Sequence, residues 1–182
     1  ERFVGAAVRT FFENLLPEGE ALDDIVSAIH LRGASSFEVL GRLGAELPGV
    51  LSLLSEAGRP DNQQEYRNLS FDALSARLAD RGNVPLLISN THATMSLAGA
   101  QDKMGLRLDK KINRLSDSDG HSPTTHILKP DSRHPRYQPS AINEYACMKL
   151  ARGLKLPVPD VWLLRVPEAS YVVERYDRQS IA

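Results

Sequence analysis

Ser96-Leu97-Ala98-Gly99-Ala100-Gln101-Asp102-Lys103 is a turn of small residues, and His126-Ile127-Leu128-Lys129 follows it as an apolar run that ends in a cation. Small residues let backbone N–H groups come close to phosphate oxygens, and a lysine on a neighbouring strand supplies positive charge to them. A chain cradles a nucleoside triphosphate in this way. The turn has neither of the common glycine-rich spacings, G-x-G-x-x-G or G-x-x-x-x-G-K-(S/T). Gly99 within it and Gly105 just beyond are the only glycines there, so its reading depends on what surrounds it.

Downstream of the turn the pattern is that of strands. Leu106 and Leu108 alternate with Gly105, Arg107 and Asp109, a period of two. Ser116 to Ser122 is rich in turn formers and reads as a loop. Thr125 to Lys129 reads as a strand stopped by Pro130. Ser140 stands where it caps a helix running to about Arg152, with Gly153 to end it. Val161 to Val166 and Tyr171 to Glu174 read as a hairpin turning at Pro167-Glu168-Ala169-Ser170. Strand, glycine turn, strand, lysine strand, helix and two strands make up the order of a protein-kinase N-lobe.

Upstream of the turn the spacing is helical. Val4, Val8, Phe11, Phe12 and Leu15 form one stripe ended by Pro17, and Leu22, Ile25, Val26 and Ile29 form another closed by Gly33. Ser35 with Glu38 three residues on has the spacing of a capping box for a short helix through Leu43. Gly49 to Leu54 reads as a strand, and Ala57 to Asn62 as a turn. Ser70 caps a last helix carrying Phe71, Leu74 and Leu78. The expected fold class is α+β. A helical N-terminal subdomain (1–84) precedes an N-lobe of small antiparallel sheet plus one helix (85–182), with the boundary near Val84-Pro85.

Composition narrows the function. At 182 residues and 42% hydrophobic the chain holds a packed core, and a net charge of −1 leaves no basic footprint for nucleic acid. One cysteine excludes an internal disulfide and fits a reducing cytoplasm. No apolar run reaches the ~18 residues of a membrane span, and no signal peptide opens the chain. His30, His92, His121, His126 and His134 show no metal-ligand spacing, and Cys147, mid-helix, reads as core rather than nucleophile.

Five separated stretches resemble motifs of the HipA family of bacterial serine/threonine kinases, the toxins of toxin–antitoxin pairs. The turn is similar to that family's S-x-A-G-A-Q-(D/E)-K. Pro123-Thr124-Thr125-His126-Ile127-Leu128-Lys129, Asn143-Glu144-Tyr145, Val173-Glu174-Arg175-Tyr176-Asp177-Arg178 and Phe11-Phe12-Glu13-Asn14-Leu15-Leu16-Pro17 resemble others, in the family's order. The resemblance implies ATP contact across Ala98, Gly99, Ala100, Gln101, Asp102 and Lys103. It also implies Lys129 on the α- and β-phosphates, and Glu174, Arg175 and Tyr176 as the hinge against adenine. Glu144 would position Lys129, and Ser96 would be the autophosphorylation site. Without the family, Lys129 is equally a strand-end lysine reaching water, Glu144 a first-turn acid, and Ser96 a serine bonded to backbone.

The same resemblance implies a cytoplasmic kinase using ATP and Mg2+, and a HipB-like DNA-binding antitoxin as partner, with DNA reached only through it. An aminoacyl-tRNA synthetase, glutamyl in the best-known members, is the implied substrate. Phosphoryl transfer also needs a catalytic aspartate, an asparagine and a metal-binding aspartate. In the family these follow the hinge, in a C-lobe this sequence lacks. The expectation is therefore a fragment, inactive alone, with no catalytic or metal-binding residue of its own. The alternative is a non-catalytic module that docks an antitoxin or a separate kinase subunit.

Overall fold

A computed structural model describes residues 5–49, 51–54, 66–88, 97, 99, 101–109, 114–118 and 122–178. Three short helices come first: α1 (Ala6–Glu13), α2 (Glu20–Ala28) and α3 (Ser36–Leu43). The expected capping box forms at α3, where Ser35 Oγ accepts from Glu38 N and the Glu38 carboxylate accepts from Ser35 N at 2.7 Å. Helix α2 ends earlier than Gly33. Ile29 is its cap, and His30 rather than a glycine takes the first positive φ, 58°.

A six-stranded antiparallel sheet follows, built from β1 (Tyr66–Asn68), β2 (Met104–Asp109), β3 (Arg114–Ser118), β4 (His126–Pro130), β5 (Val161–Arg165) and β6 (Ala169–Glu174). The strand order is β1-β3-β2-β4-β6-β5. Helix α4 (Phe71–Ala79) lies between β1 and β2 in the chain, and α5 (Ser140–Gly153) between β4 and β5.

Strand alternation distributes the side chains of the sheet. Leu128 and Val172, with Met104, Leu106 and Leu115, pack against Leu74 and Leu78 of α4. Tyr171 and Val173 face the other way, against Tyr145 and Met148 of α5. Lys129 lies opposite Tyr171 in the β4–β6 ladder, on that second face. A separate core joins Ile25, Val39, Leu40, Leu43 and Leu47 of the helical part to Leu87, Ile88 and Leu97, with Ile127 packed on it. The turn is thus seated on the first helices as well as on the sheet. Strand β1 and α4 precede Val84 in sequence yet belong to the sheet and its core.

Several local expectations are corrected. Leu51–Leu54 are not a strand; Leu53 N instead donates to Gly44 O at 2.7 Å, folding the segment back on the end of α3. Residues 114–118, which overlap the expected loop, form β3, because Leu115 is buried and both neighbouring strands supply hydrogen-bond partners. Phe71 is exposed, although Ser70 caps α4 as expected and Leu74 and Leu78 are buried. Ser140 is the first residue of α5 rather than its cap. Asp131 satisfies that end, accepting from Ala141 N at 2.7 Å. At the other end Gly153 is still helical, and Lys155 carries the positive φ of 61°. The hairpin turn is tighter than expected and closes over Val166 to Glu168. Cys147 is exposed, not core. The turn expected over Ala57 to Asn62 lies outside the described residues.

Candidate functional site

Lys129 and Glu144 meet because β4 and α5 share a face. The Lys129 Nζ lies 2.7 Å from Glu144 Oε2, both side chains partly exposed, and 5.8 Å from the centre of the Tyr171 ring. Burial, and secondarily the Glu144 charge, push the Tyr171 hydroxyl up to about 12, so it stays neutral beside Lys129. A lysine paired with an acid keeps its direction, which a free ammonium on four methylenes does not.

The glycine turn brings a second cation. Gly99 has φ 103° and bridges in parallel to Pro17, and a Cβ there would lie 2.9 Å from Lys103 Nζ. The lysine end therefore lies against the turn in the space a side chain would fill. Lys103 is only 9% exposed. Burial, and then the charge of Lys129, push it down to about 8, although Glu18, Glu144 and Asp102 pull the other way. Asp102 itself faces the helices: its Oδ2 pairs with Arg133 Nε at 2.9 Å and stands 3.6 Å from Arg81 Nε. Arg133 continues to Asp24 of α2 at 3.2 Å. Gln101 Nε2 reaches Pro130 O at 3.5 Å.

At the end of β6 the chain turns into a charged cluster. Arg175, 3% exposed, donates to Glu46 Oε1 at 2.7 Å and to Thr124 Oγ1 at 2.9 Å. It grips Asp177 through Nε and Nη2 at 2.9 and 2.8 Å. Asp177 also accepts from Gly49 N at 2.9 Å and Arg178 Nη1 at 3.2 Å. Burial would raise the Asp177 carboxyl, but hydrogen bonds and charge from Arg175, with Arg178 and the Gly49 N–H, hold it below the usual range. The backbone N–H groups of Glu174 and Arg175 donate to Asp160 O and Thr125 O, each at 2.9 Å.

These parts surround one open cleft of about 320 Å³. Lys103, Lys129, Glu174, Arg175 and Tyr176 all line it, as do the apolar Leu97, Ile127 and Val173. A cavity with an apolar floor and two lysines at one side suits a flat ring carrying an anionic tail. Gln101 and Asp102 line neighbouring hollows instead. Ser96, Ala98 and Ala100 lie outside the described residues. Sequence reasoning left Asp177 unassigned although its motif was in view. It had no signal for Glu46, Pro48 or Gly49, whose place beside the cleft comes only from tertiary packing. Among the described residues no three His, Cys, Asp or Glu side chains gather as a metal site, and no helix is long and apolar enough to cross a membrane.

Comparison with known proteins gives the following. Residues 95–182 match the HipA-like C-terminal domain and residues 1–54 the HipA N-terminal domain. The serine/threonine-protein kinase toxin HipA of Shewanella oneidensis is 26% identical over 96% of this chain and 39% of its own length. Y4mE of Sinorhizobium fredii, whose name marks it as a candidate kinase, is 36% identical over 98% of this chain and 43% of its own. The structure of Shewanella HipA with HipB and operator DNA superimposes with a TM-score of 0.73 at 25% identity, covering 96% of this chain and 39% of that one. The chain thus spans about two fifths of the length of these relatives.

Proposed function

Because the chain belongs to the HipA family, we propose that its cleft binds ATP and that it serves a serine/threonine kinase toxin held by a HipB-like antitoxin. The observation that carries this reading is Lys129, paired with Glu144 at 2.7 Å and lining the same cleft as the buried Lys103. In it Lys129 and Lys103 hold the phosphates, while Leu97, Ile127 and Val173 cover the base. Gly99 with Ala98 and Ala100 lets backbone approach the phosphates. Gln101 and Asp102 anchor the turn from behind, through Pro130 and the two arginines. Glu174 to Tyr176 form the hinge edge.

ATP supplies the transferable phosphoryl group, and Mg2+ offsets its charge. The lysines fit the nucleotide. No group of three His, Cys, Asp or Glu side chains among the described residues gathers to hold the metal. The division into an N-terminal subdomain (1–84) and an N-lobe (85–182) belongs to the same reading, with β1 and α4 lent to the sheet. Ser96 is its regulatory residue. A phosphoryl group there adds about −1.5 to −2 charge beside the phosphate turn and repels nucleotide. The cellular setting is the cytoplasm, and the substrate is a translation factor such as glutamyl-tRNA synthetase.

The test is titration of the chain with ATP and Mg2+, followed calorimetrically, beside Lys129→Ala. Saturable binding that falls at least about tenfold in the variant supports the reading, since a charge-assisted phosphate contact is worth roughly 1.5–3 kcal/mol. Equal binding by both proteins refutes it.

A further inference from the structure

We infer that Glu46 is a positioning residue of the nucleotide cleft, reaching it from the N-terminal family domain through Arg175. The inference rests on the ATP reading of that cleft. Glu46 follows α3 inside the stretch matched to the HipA N-terminal domain, whereas Arg175 and Asp177 lie in the stretch matched to the C-terminal one.

Its geometry is that of a node rather than an incidental pair. One oxygen, Glu46 Oε1, accepts from Thr124 N at 3.1 Å, Thr124 Oγ1 at 2.6 Å and Arg175 Nη1 at 2.7 Å, and Arg178 Nη2 stands 3.6 Å away. Glu46 is 7% exposed and Thr124 fully buried. With Nη1 fixed there, the planar fork of Arg175 has one orientation left, and its Nε and Nη2 meet both oxygens of Asp177. Asp177, Arg175, Tyr176 and Glu174 then form the edge of the cleft. The same cluster ties residues 47–49 to this edge. Asp177 accepts from Gly49 N, Arg178 donates to Gly49 O and Leu47 O, and Pro48 and Gly49 line the cleft.

Stability alone is a poor reason for such a cluster, because a buried ion network is often no better than apolar packing. Its two arginines and two acids balance in charge, so losing the Glu46 charge leaves a surplus cation at the hinge. Arg175 then loses the anchor that fixes Nη1, Arg178 competes with it for Asp177, and the edge that faces the base moves. The lysine end of the cleft, on β4 and the glycine turn, is anchored by Glu144 and the Asp102 pairs and stays in place.

That separation gives the experiment. ATP engages both ends of the cleft; inorganic tripolyphosphate engages only the lysine end. In the Glu46→Gln chain, ATP affinity is expected to fall about tenfold while tripolyphosphate affinity stays within about twofold. Thr124→Val, which removes one donor to Glu46 and one acceptor of Arg175 and keeps the shape, is expected to give the same split at about threefold and guards against a Glu46→Gln chain that does not fold. Equal loss of both ligands would mean a merely structural role and overturns the inference, as does unchanged ATP binding in both variants. If Lys129→Ala leaves ATP binding intact, the ATP reading fails and this inference with it. Loss in Lys129→Ala without loss in Glu46→Gln and Thr124→Val removes only the inference.

Discussion

Replacing Lys103 with methionine is expected to stabilise the fold while weakening nucleotide binding. Lys103 is 9% exposed, and burial together with the Lys129 charge brings it to about 8 from an ordinary 10.5. At about 1.4 kcal/mol per pH unit the gap sets a ceiling of roughly 3 kcal/mol against the folded state at pH 7. Partial access to water reduces this to ~1–2 kcal/mol. The sign follows from proton counting. Between pH 8 and 10.5 the unfolded chain keeps a proton on this lysine that the folded one has released, so stability rises with pH across that window. Below pH 8 both states are protonated and the penalty is complete. Methionine fills similar volume without charge, so Lys103→Met should gain ~1–2 kcal/mol at pH 7. It should also flatten the rise between pH 8 and 10. Urea unfolding of both proteins at pH 7 and 9.5 measures this, and ATP titration measures the accompanying loss of affinity. A variant less stable than the parent at pH 7, or one with the same pH slope, refutes the reasoning.

Two further changes probe the same cleft. Gly99→Ala forces a side chain into φ 103° and sets its Cβ 2.9 Å from Lys103 Nζ. The backbone strain costs about 1–2 kcal/mol, and the flexible ammonium gives way by leaving the turn, so thermal denaturation and ATP titration should both show a loss. Glu144→Gln removes a partly exposed pair, which changes stability by less than about 1 kcal/mol. Its effect should appear as a several-fold weaker affinity for ATP and for tripolyphosphate alike, because Lys129 loses its direction.

The parts legible in the sequence were those whose signal is local. Ser35 and Glu38 cap a helix by a rule that needs only four residues, and the capping box is present. The alternation of Leu106 and Leu108, and the apolar run to Lys129, gave two strands of the sheet within a residue or two. Strand β3 was not legible. Its Ser116, Asp117 and Ser118 are turn formers in isolation, and they are extended here because β1 and β2 satisfy their backbone on both sides. The cap of α5 was misread for a related reason. Asp131 is close to Ala141 only once the segment after β4 has folded back, so no spacing rule points to it. Cys147 was placed in the core by its position in a helix, yet α5 also leaves Ile142 and Leu150 exposed, so apolar character did not mark the buried side.

At the cleft the same division separates cations from their supports. Lys129 and Lys103 declare themselves by type and position, but spacing alone does not place their supporting groups beside them. Lys129 needs an acid on a different element. Lys103 lies against a turn whose own Asp102 is held by Arg81 of the segment after α4 and by Arg133, which in turn reaches Asp24 of α2. The Glu46 cluster repeats this at the other end, tying residues 46–49 to 175–178. The glycine turn and the edge at residues 174–177 are therefore both fastened to the N-terminal helical part, and the sheet does not position them unaided. On the proposed reading, a change on the helices would reach the nucleotide through either fastening, and the two differ in what they would move. The Asp102 pairs would act on the turn proposed to hold phosphates, and Glu46 on the edge proposed to face the base. A partner docking on the helices would thus alter phosphate contacts, base contacts, or both, according to which fastening it pulls.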